Sequence, residues 1–204
     1  MKRFLVIALA LALLCLPGSA LAAGKSSIFG TSPAATEAPA EAPDASYSVD
    51  GFSADEIRSA VADFLDSIEW TYSIDADSGN ITFGMNIDSK LGSLDYVMRF
   101  FDNGFTTYAY PSVYADSNCM GDIAEYLHRA NRGLRNGNFE LDFSDGEIRY
   151  KSYVDCSNAL PGPDVIRRTI SVPGDMFEIY GDGLLQVSFG LTSPADAIEA
   201  AEKE

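Results

Sequence analysis

The stretch Gly137-Asn138-Phe139-Glu140-Leu141-Asp142-Phe143-Ser144-Asp145-Gly146-Glu147-Ile148-Arg149-Tyr150-Lys151 reads as a β-hairpin. Asp145-Gly146 supplies a two-residue turn, because glycine adopts positive φ at no steric cost. With that loop, Phe143 faces Ile148 and Leu141 faces Tyr150 on one side of the ribbon. On the other side Asp142 faces Arg149 and Glu140 faces Lys151. Apolar meets apolar and acid meets base across the strands. A one-residue slip turns every side chain to the opposite face and loses both matches. One face of this hairpin therefore belongs in a core and the other in water.

Toward the N-terminus, strands over 94–101 and 105–111 flank Asn103-Gly104, a second two-residue hairpin signal. Leu94, Tyr96, Met98 and Phe100 make one face uniformly apolar. The opposite face carries Val97, Phe101, Tyr108 and Tyr110 beside Arg99 and Asp95. In this register Arg99 stands opposite Tyr108, which predicts a cation–π pair. Strands over 70–75 and 80–87 flank the turn Asp77-Ser78-Gly79. Before them Ser53 and Glu56 have the spacing of a capping box, with Phe52 and Ile57 as its hydrophobic staple. Ile57, Ala60, Val61, Phe64, Leu65 and Ile68 then repeat at helical spacing.

A second helix over 120–134 turns Ile123, Leu127, Ala130 and Leu134 inward, and Asn136-Gly137 is expected to close it. Beyond the 138–151 hairpin, Pro163 opens a helix carrying Val165, Ile166, Thr169 and Ile170. Pro173 is expected to interrupt it before a continuation with Met176, Phe177, Tyr180, Leu184 and Val187. Ser193-Pro194-Ala195-Asp196 caps a short last helix. The order α-ββββ-α-ββ-α predicts an α+β fold, a mainly antiparallel sheet with helices packed on one face.

The flanks differ in composition. Residues 1–22 read as a secretory signal peptide: Lys2 and Arg3, an apolar run from Phe4 to Leu16, then Ala20-Leu21-Ala22 as a small-residue cleavage site. That run is shorter than the roughly 20 residues a bilayer span requires. Leu13-Leu14 are too bulky to make Cys15 a lipidation site. Residues 23–50, rich in Ala, Pro, Glu and Ser, lack the apolar density to order themselves and are expected to be a disordered linker. The folded domain is assigned to 51–192, with a short helix and tail over 193–204. The expected location is secreted or periplasmic, with no integral membrane segment after cleavage.

Thirty acidic residues stand against fourteen basic ones, a formal net charge of −16. Such a field repels phosphate backbones and anionic headgroups, so nucleic acid is not an expected partner. Cys119 and Cys156 remain after cleavage. Their even number favours a bridge in an oxidising compartment. Their placement at opposite ends of a helix of about 22 Å opposes one, since Cα atoms must come within about 7 Å. Catalytic patterns are missing: no Gly-x-Ser-x-Gly elbow, no Walker loop and no dinucleotide glycine pattern. The single histidine, His128, flanks a helix's apolar stripe. Asp75-Ala76-Asp77-Ser78-Gly79-Asn80 imitates a calcium loop, but its glycine falls one position early and Asn86 stands where the bidentate Glu belongs. Arg129, Arg132 and Arg135 make a local basic patch, with Glu125 one helical turn before Arg129.

The run Leu127-His128-Arg129-Ala130-Asn131-Arg132-Gly133-Leu134, then Gly137-Asn138-Phe139-Glu140-Leu141-Asp142 and Asp145-Gly146-Glu147-Ile148-Arg149-Tyr150, resembles the YbjN family. The resemblance extends over about residues 52–200. It implies a fold like that of type III secretion chaperones: a curved antiparallel sheet with helices against one face. It also implies a regulatory or chaperone-like binder with no catalytic residues, cofactor or metal to carry over. The expected function is thus a non-enzymatic protein- or peptide-binding module, self-association included. Its candidate surface is Val97, Arg99, Phe101, Tyr108 and Tyr110. The alternative on the same aromatics is a cell-envelope domain binding a small molecule or glycan.

Overall fold

Ser53 starts the first helix as its sequence requires. Its Oγ accepts the Glu56 N–H at 3.3 Å while Glu56 Oε2 accepts the Ser53 N–H at 2.9 Å, which closes the capping box of α1 (Ala54–Ser67). The computed structural model describes residues 51–203, so the leader 1–22 and the linker 23–50 lie outside the described residues. Four strands follow: β1 (Ser73–Ile74), β2 (Ile81–Asn86), β3 (Ser93–Phe101) and β4 (Gly104–Pro111). Then come α2 (Met120–Asn131), β5 (Asn138–Leu141), β6 (Ile148–Asp155), α3 (Pro163–Ser188) and α4 (Pro194–Ala201). The strands form one antiparallel six-stranded sheet in the order β1-β2-β3-β4-β6-β5. The chain leaves β4 through α2, builds the outermost strand β5, and returns with β6 into the gap.

The α+β architecture has the expected order, with the helices on one side of the sheet. Ile81, Phe83, Tyr96, Met98, Phe105, Ala109, Phe139 and Tyr150 point under them and are buried. Tyr96 Oη donates to the Ile170 carbonyl of α3 at 3.0 Å, and Tyr126 Oη of α2 donates to the Tyr180 carbonyl at 2.7 Å. These bonds satisfy hydroxyls that burial would otherwise leave without water. Glycines let α3 come close. A Cβ at Gly183 would fall 3.0 Å from Tyr126 Cζ, and one at Gly174 would fall 2.6 Å from Met85 Cε. The short α4 packs on α2 and α3 and buries Ala197. Among the described residues no helix is long and apolar enough to cross a membrane.

Five local expectations need correction. The first strand is two residues rather than six. Trp70 instead donates its N–H to Leu65 O at 2.9 Å, which ties it to the end of α1, and its ring meets Phe83 edge-on at 5.8 Å. Helix α2 ends three residues early, at Asn131. There the side chain takes over strand pairing: Asn131 Nδ2 donates to Phe139 O at 2.9 Å and Asn131 Oδ1 accepts the Phe139 N–H at 2.7 Å. Pro173 does not interrupt its helix, because α3 runs through it for 26 residues. Packing on the sheet outweighs the lost N–H, which would have gone to the Thr169 carbonyl; one residue on, the Ile170 carbonyl accepts from the Tyr96 hydroxyl and ties α3 to the sheet.

Both hairpins close two residues away from the expected pairing. In the first, Phe101 pairs with Gly104, so the turn is Asp102-Asn103, with Asn103 at φ +67°. That turn is clamped from outside: Asn103 N–H donates to Phe52 O at 2.8 Å, and Cys156 N–H donates to Asn103 O at 2.7 Å. Gly104 leaves room for the Tyr153 ring to lie over the strand, since a Cβ there would fall 2.7 Å from its Cζ and turn the ring aside. In the second, Leu141 pairs with Ile148, Glu140 with Arg149, Phe139 with Tyr150 and Asn138 with Lys151. Asp142 forms the loop instead of a cross-strand pair, its Oδ1 accepting from Ser144 N and Oγ at 2.8 and 2.6 Å. Phe143 is left 66% exposed. A slip of two keeps every side chain on its face, which is why both polarity patterns survive it.

Candidate functional site

The second face of the sheet has no helix upon it among the described residues, and the expected surface lies there. Strand alternation puts Val97, Arg99 and Phe101 of β3 on this side, with Tyr108 and Tyr110 of β4. Register sets their neighbours. Val97 lies between Thr82 and Tyr108, Tyr108 lies between Val97 and Lys151, and Thr106 lies between Arg99 and Tyr153. All five expected residues therefore share one contiguous patch across the two central strands.

Tyr108 is its centre. The expected cation–π contact exists, with Arg99 Cζ 5.3 Å from the Tyr108 ring centroid, although Arg99 stands opposite Thr106 and reaches the ring diagonally. A second guanidinium is closer: Arg149 Cζ lies 4.6 Å from the same centroid. Tyr110 packs beside Tyr108 at 6.2 Å between centroids. Arg149 is held by Glu140 at 2.7 Å and by Glu147 at 3.4 Å. Glu140 also takes Lys151 at 3.0 Å. Partial burial opposes the charge on Glu140, yet its bonds to Arg149 and Lys151 outweigh that and hold the carboxyl below the usual glutamate range. The same network raises Arg149 against the cost of its burial. For Tyr110, burial dominates and pushes the phenol up, with Arg149 pulling the other way.

Two parts of the patch escaped the sequence reading. The local hairpin pattern marks Arg149 only as the partner of an acid across its own hairpin. Tyr153, 58% exposed, lies over Gly104, the residue paired with Phe101, and nothing local in the sequence marks it. Both reach the patch because β6 pairs with β4, with Tyr153 opposite Thr106 and Lys151 opposite Tyr108. Local pattern carries no sign of that pairing. The only available signal was the alternation of 149, 151, 153 and 155 along one face of the strand.

The remaining chemistry-bearing residues stand apart from the patch. His128 is exposed on α2. Asp75 Oδ1 accepts from Ser78 N and Oγ at 2.7 and 2.6 Å, as a turn acceptor does. Among the described residues no three His, Cys, Asp or Glu side chains gather as metal ligands. Cys119 and Cys156 are both free thiols, the first half-buried and the second buried. Arg129 pairs with Glu125 at 2.8 Å, as their spacing predicts. What the patch offers is flat, aromatic and cationic: stacking surfaces, guanidinium donors and a rim of paired charge.

Fold and site together define an α+β protein whose antiparallel sheet is sheltered on one side and carries aromatic and basic residues on the other. Among solved structures it is similar to the crystal structure of the ExsC-ExsE complex, at 13% identity over 62% of this chain and 92% of that chain, with a TM-score of 0.41. No protein-family model and no curated protein matches the chain.

Proposed function

We propose that this chain is a non-enzymatic binding module which docks a protein or peptide partner on the open sheet face, through Val97, Arg99, Phe101, Tyr108 and Tyr110. The reading extends to Arg149 and Tyr153, which share that face. The observation that carries it is the placement of Tyr108 between two guanidiniums on a side of the sheet that the described helices leave bare. Aromatic residues and arginine are what interfaces enrich relative to other surface, and they make up most energetic anchors. A surface meant only for water would favour Lys, Glu and Thr at these positions instead. The sequence likeness to the YbjN family agrees with a regulatory or chaperone-like role. The N-terminal sequence agrees with export, which would place the partner outside the cytoplasm.

The test is a pair of variants, Tyr108→Glu and Phe101→Glu, beside wild type. Light scattering reports self-association, and photo-crosslinking from position 153, exposed on the same face, reports a second protein. A dimer or a crosslinked partner in wild type, lost in both variants while circular dichroism is unchanged, supports the reading. A monomer whose crosslinking is the same in all three proteins would sink it.

A further inference from the structure

Two asparagines in the chain stand directly before glycine, in Asn103-Gly104 and Asn136-Gly137, and aspartate does so in Asp145-Gly146 and Asp182-Gly183. A glycine amide nitrogen has no Cβ beside it, so it can close on the preceding side-chain carbonyl carbon as a five-membered ring. Asparagine closes more readily than aspartate at neutral pH, because an ionised carboxylate resists attack. By local sequence alone the two Asn-Gly pairs are equal sites for the loss of a thermolabile amide. The fold makes them unequal.

Asn103 is held on every side. Its N–H donates to Phe52 O at 2.8 Å, its carbonyl accepts the Cys156 N–H at 2.7 Å, and its Oδ1 is buried against Gly51. The nucleophile is held as well, since Gly104 is buried, pairs with Phe101 and lies under the Tyr153 ring. Ring closure there requires the hairpin to open. Asp145-Gly146 is tied in a similar way: Gly146 N–H donates to Asp142 O at 2.8 Å, and Asp145 Oδ1 accepts the Glu147 N–H at 2.9 Å. Asp182-Gly183 lies within α3, where Asp182 accepts the Lys90 N–H at 3.0 Å.

Asn136-Gly137 differs from all of these. It lies between the end of α2 at Asn131 and the start of β5 at Asn138, with Asn136 exposed. Among the described residues neither the Asn136 side-chain amide nor the Gly137 N–H has a hydrogen-bond partner. The one tie is the Tyr150 hydroxyl, which donates to the Asn136 main-chain carbonyl and engages neither reacting atom. Packing nonetheless demands glycine at 137: its φ is +85°, and a Cβ there would fall 2.6 Å from Tyr150 Cε1.

We infer that Asn136 is a site of spontaneous deamidation. The deprotonated Gly137 nitrogen bonds to Asn136 Cγ, the Cγ–Nδ2 bond breaks, and ammonia leaves with the proton that the Gly137 nitrogen gave up. Water then opens the cyclic imide. Opening at the Cγ carbonyl leaves aspartate; opening at the main-chain carbonyl leaves isoaspartate, with one more methylene in the backbone. Both products place a carboxylate next to Arg135, on a groove of about 690 Å³ where Arg135 and Arg168 face Asp155 and Asp164. Lys151 at that groove is already paired with Glu140. Deamidation therefore turns a balanced groove acidic, and the isoaspartate form also displaces the carbonyl that Tyr150 holds. The site stands apart from the open sheet face and does not depend on that reading.

The test is to age the full chain in warm, mildly alkaline buffer, folded or in denaturing urea. Peptide mapping by mass spectrometry, with isoaspartyl methyltransferase labelling, follows both Asn-Gly pairs. In the folded protein Asn136 should convert at least about tenfold faster than Asn103, whose reaction waits on local opening. In urea the two rates should converge, because the protection of Asn103 is gone. Asn136→Gln should remove the acidic species that ion exchange resolves, since its longer side chain closes a six-membered ring far more slowly. Equal rates at the two positions in the folded protein, a rate ratio that persists in urea, or an acidic species that survives in Asn136→Gln each overturns the inference.

Discussion

The two faces of the sheet are built from the same strands, yet they are organised by different physics. Under the helices Tyr96, Tyr126 and Tyr150 are almost wholly buried, and each hydroxyl is fastened to a backbone carbonyl. Burial raises all three phenols, that of Tyr150 to about 12. On the open face Tyr108 and Tyr110 are half-buried, and their neighbours are guanidiniums rather than ring edges. Tyrosine on the sheltered side is a packing residue whose polar end has been neutralised. On the bare side guanidiniums replace those carbonyls, Arg99 and Arg149 at the Tyr108 ring and Arg149 at the Tyr110 hydroxyl. Residue type alone therefore does not separate core from open face; the partner of the hydroxyl does.

The comparison is tested hardest at Phe139. It is 4% exposed and meets Tyr150, Phe177 and Tyr180 edge-on at 4.9, 5.2 and 5.9 Å. Phe139→Ala is expected to lower the unfolding free energy by about 3–5 kcal/mol, the range for a buried Phe whose site cannot collapse, read from urea denaturation. A loss below 1 kcal/mol would mean the sheltered side is not close-packed. Next comes Thr169, which links α3 to the sheet by a buried hydroxyl chain: Ser152 Oγ lies 2.7 Å from Thr169 Oγ1, which lies 3.2 Å from Thr107 Oγ1. Thr169→Val keeps the shape and strands both neighbours, a cost of about 1–3 kcal/mol. Thr107→Val combined with it should cost less than the sum, since the two share one network.

Legibility in the sequence followed the range of the interactions. The caps at Ser53 and Ser193, the apolar stripes and the polarity of both hairpins are local, and they were readable. Each hairpin's register was missed by two residues for one reason: cross-strand polarity fixes the parity of a register and leaves its phase open. The phase is set elsewhere, by Phe52 and Cys156 holding Asn103 and by Asp142 taking the Ser144 donors. Continuity of α3 through Pro173 likewise rests on packing against the sheet, where Tyr96 reaches the Ile170 carbonyl from 74 residues away. For the candidate surface the alternation in β3 and β4 sufficed to name five residues. Arg149 and Tyr153 needed the β4–β6 pairing, which joins strands on either side of α2.

A smaller effect on stability with a larger one on binding sharpens the contrast between the faces. Tyr108→Ala removes two cation–π contacts at a half-exposed site, each about 0.5–1 kcal/mol. The expected loss of unfolding free energy is therefore at most about 2 kcal/mol, well under that of Phe139→Ala. In the light-scattering and crosslinking measurements the order should invert, with Tyr108→Ala the more damaging of the two. Equal damage to stability from both would place Tyr108 in the core and remove it from the surface.

The smallest effect lies at the rim, where Glu140 joins Arg149 and Lys151 with side chains 26–39% exposed. Its carboxyl titrates below the ordinary 4.5 in the folded chain. A group depressed on folding adds stability that is present above its unfolded value and vanishes as pH falls through its folded one. The contribution is therefore complete at neutral pH, starts to fall below about pH 4.5 and ends once the folded carboxyl is protonated. Arginine and lysine stay charged across that window and add no slope of their own. Several other carboxylates, Asp75, Asp142, Asp155 and Asp182 among them, are also depressed and fade in acid. The informative quantity is thus a difference: the wild-type advantage over Glu140→Gln in urea midpoint should be worth up to about 1 kcal/mol at pH 7 and close to nothing near pH 2. Because Glu140 also aims Arg149 at Tyr108, the same variant should weaken partner binding at pH 7 more than its stability loss accounts for. An advantage that persists unchanged in acid would show that Glu140 acts through packing, and the rim would then belong to the sheltered kind of surface.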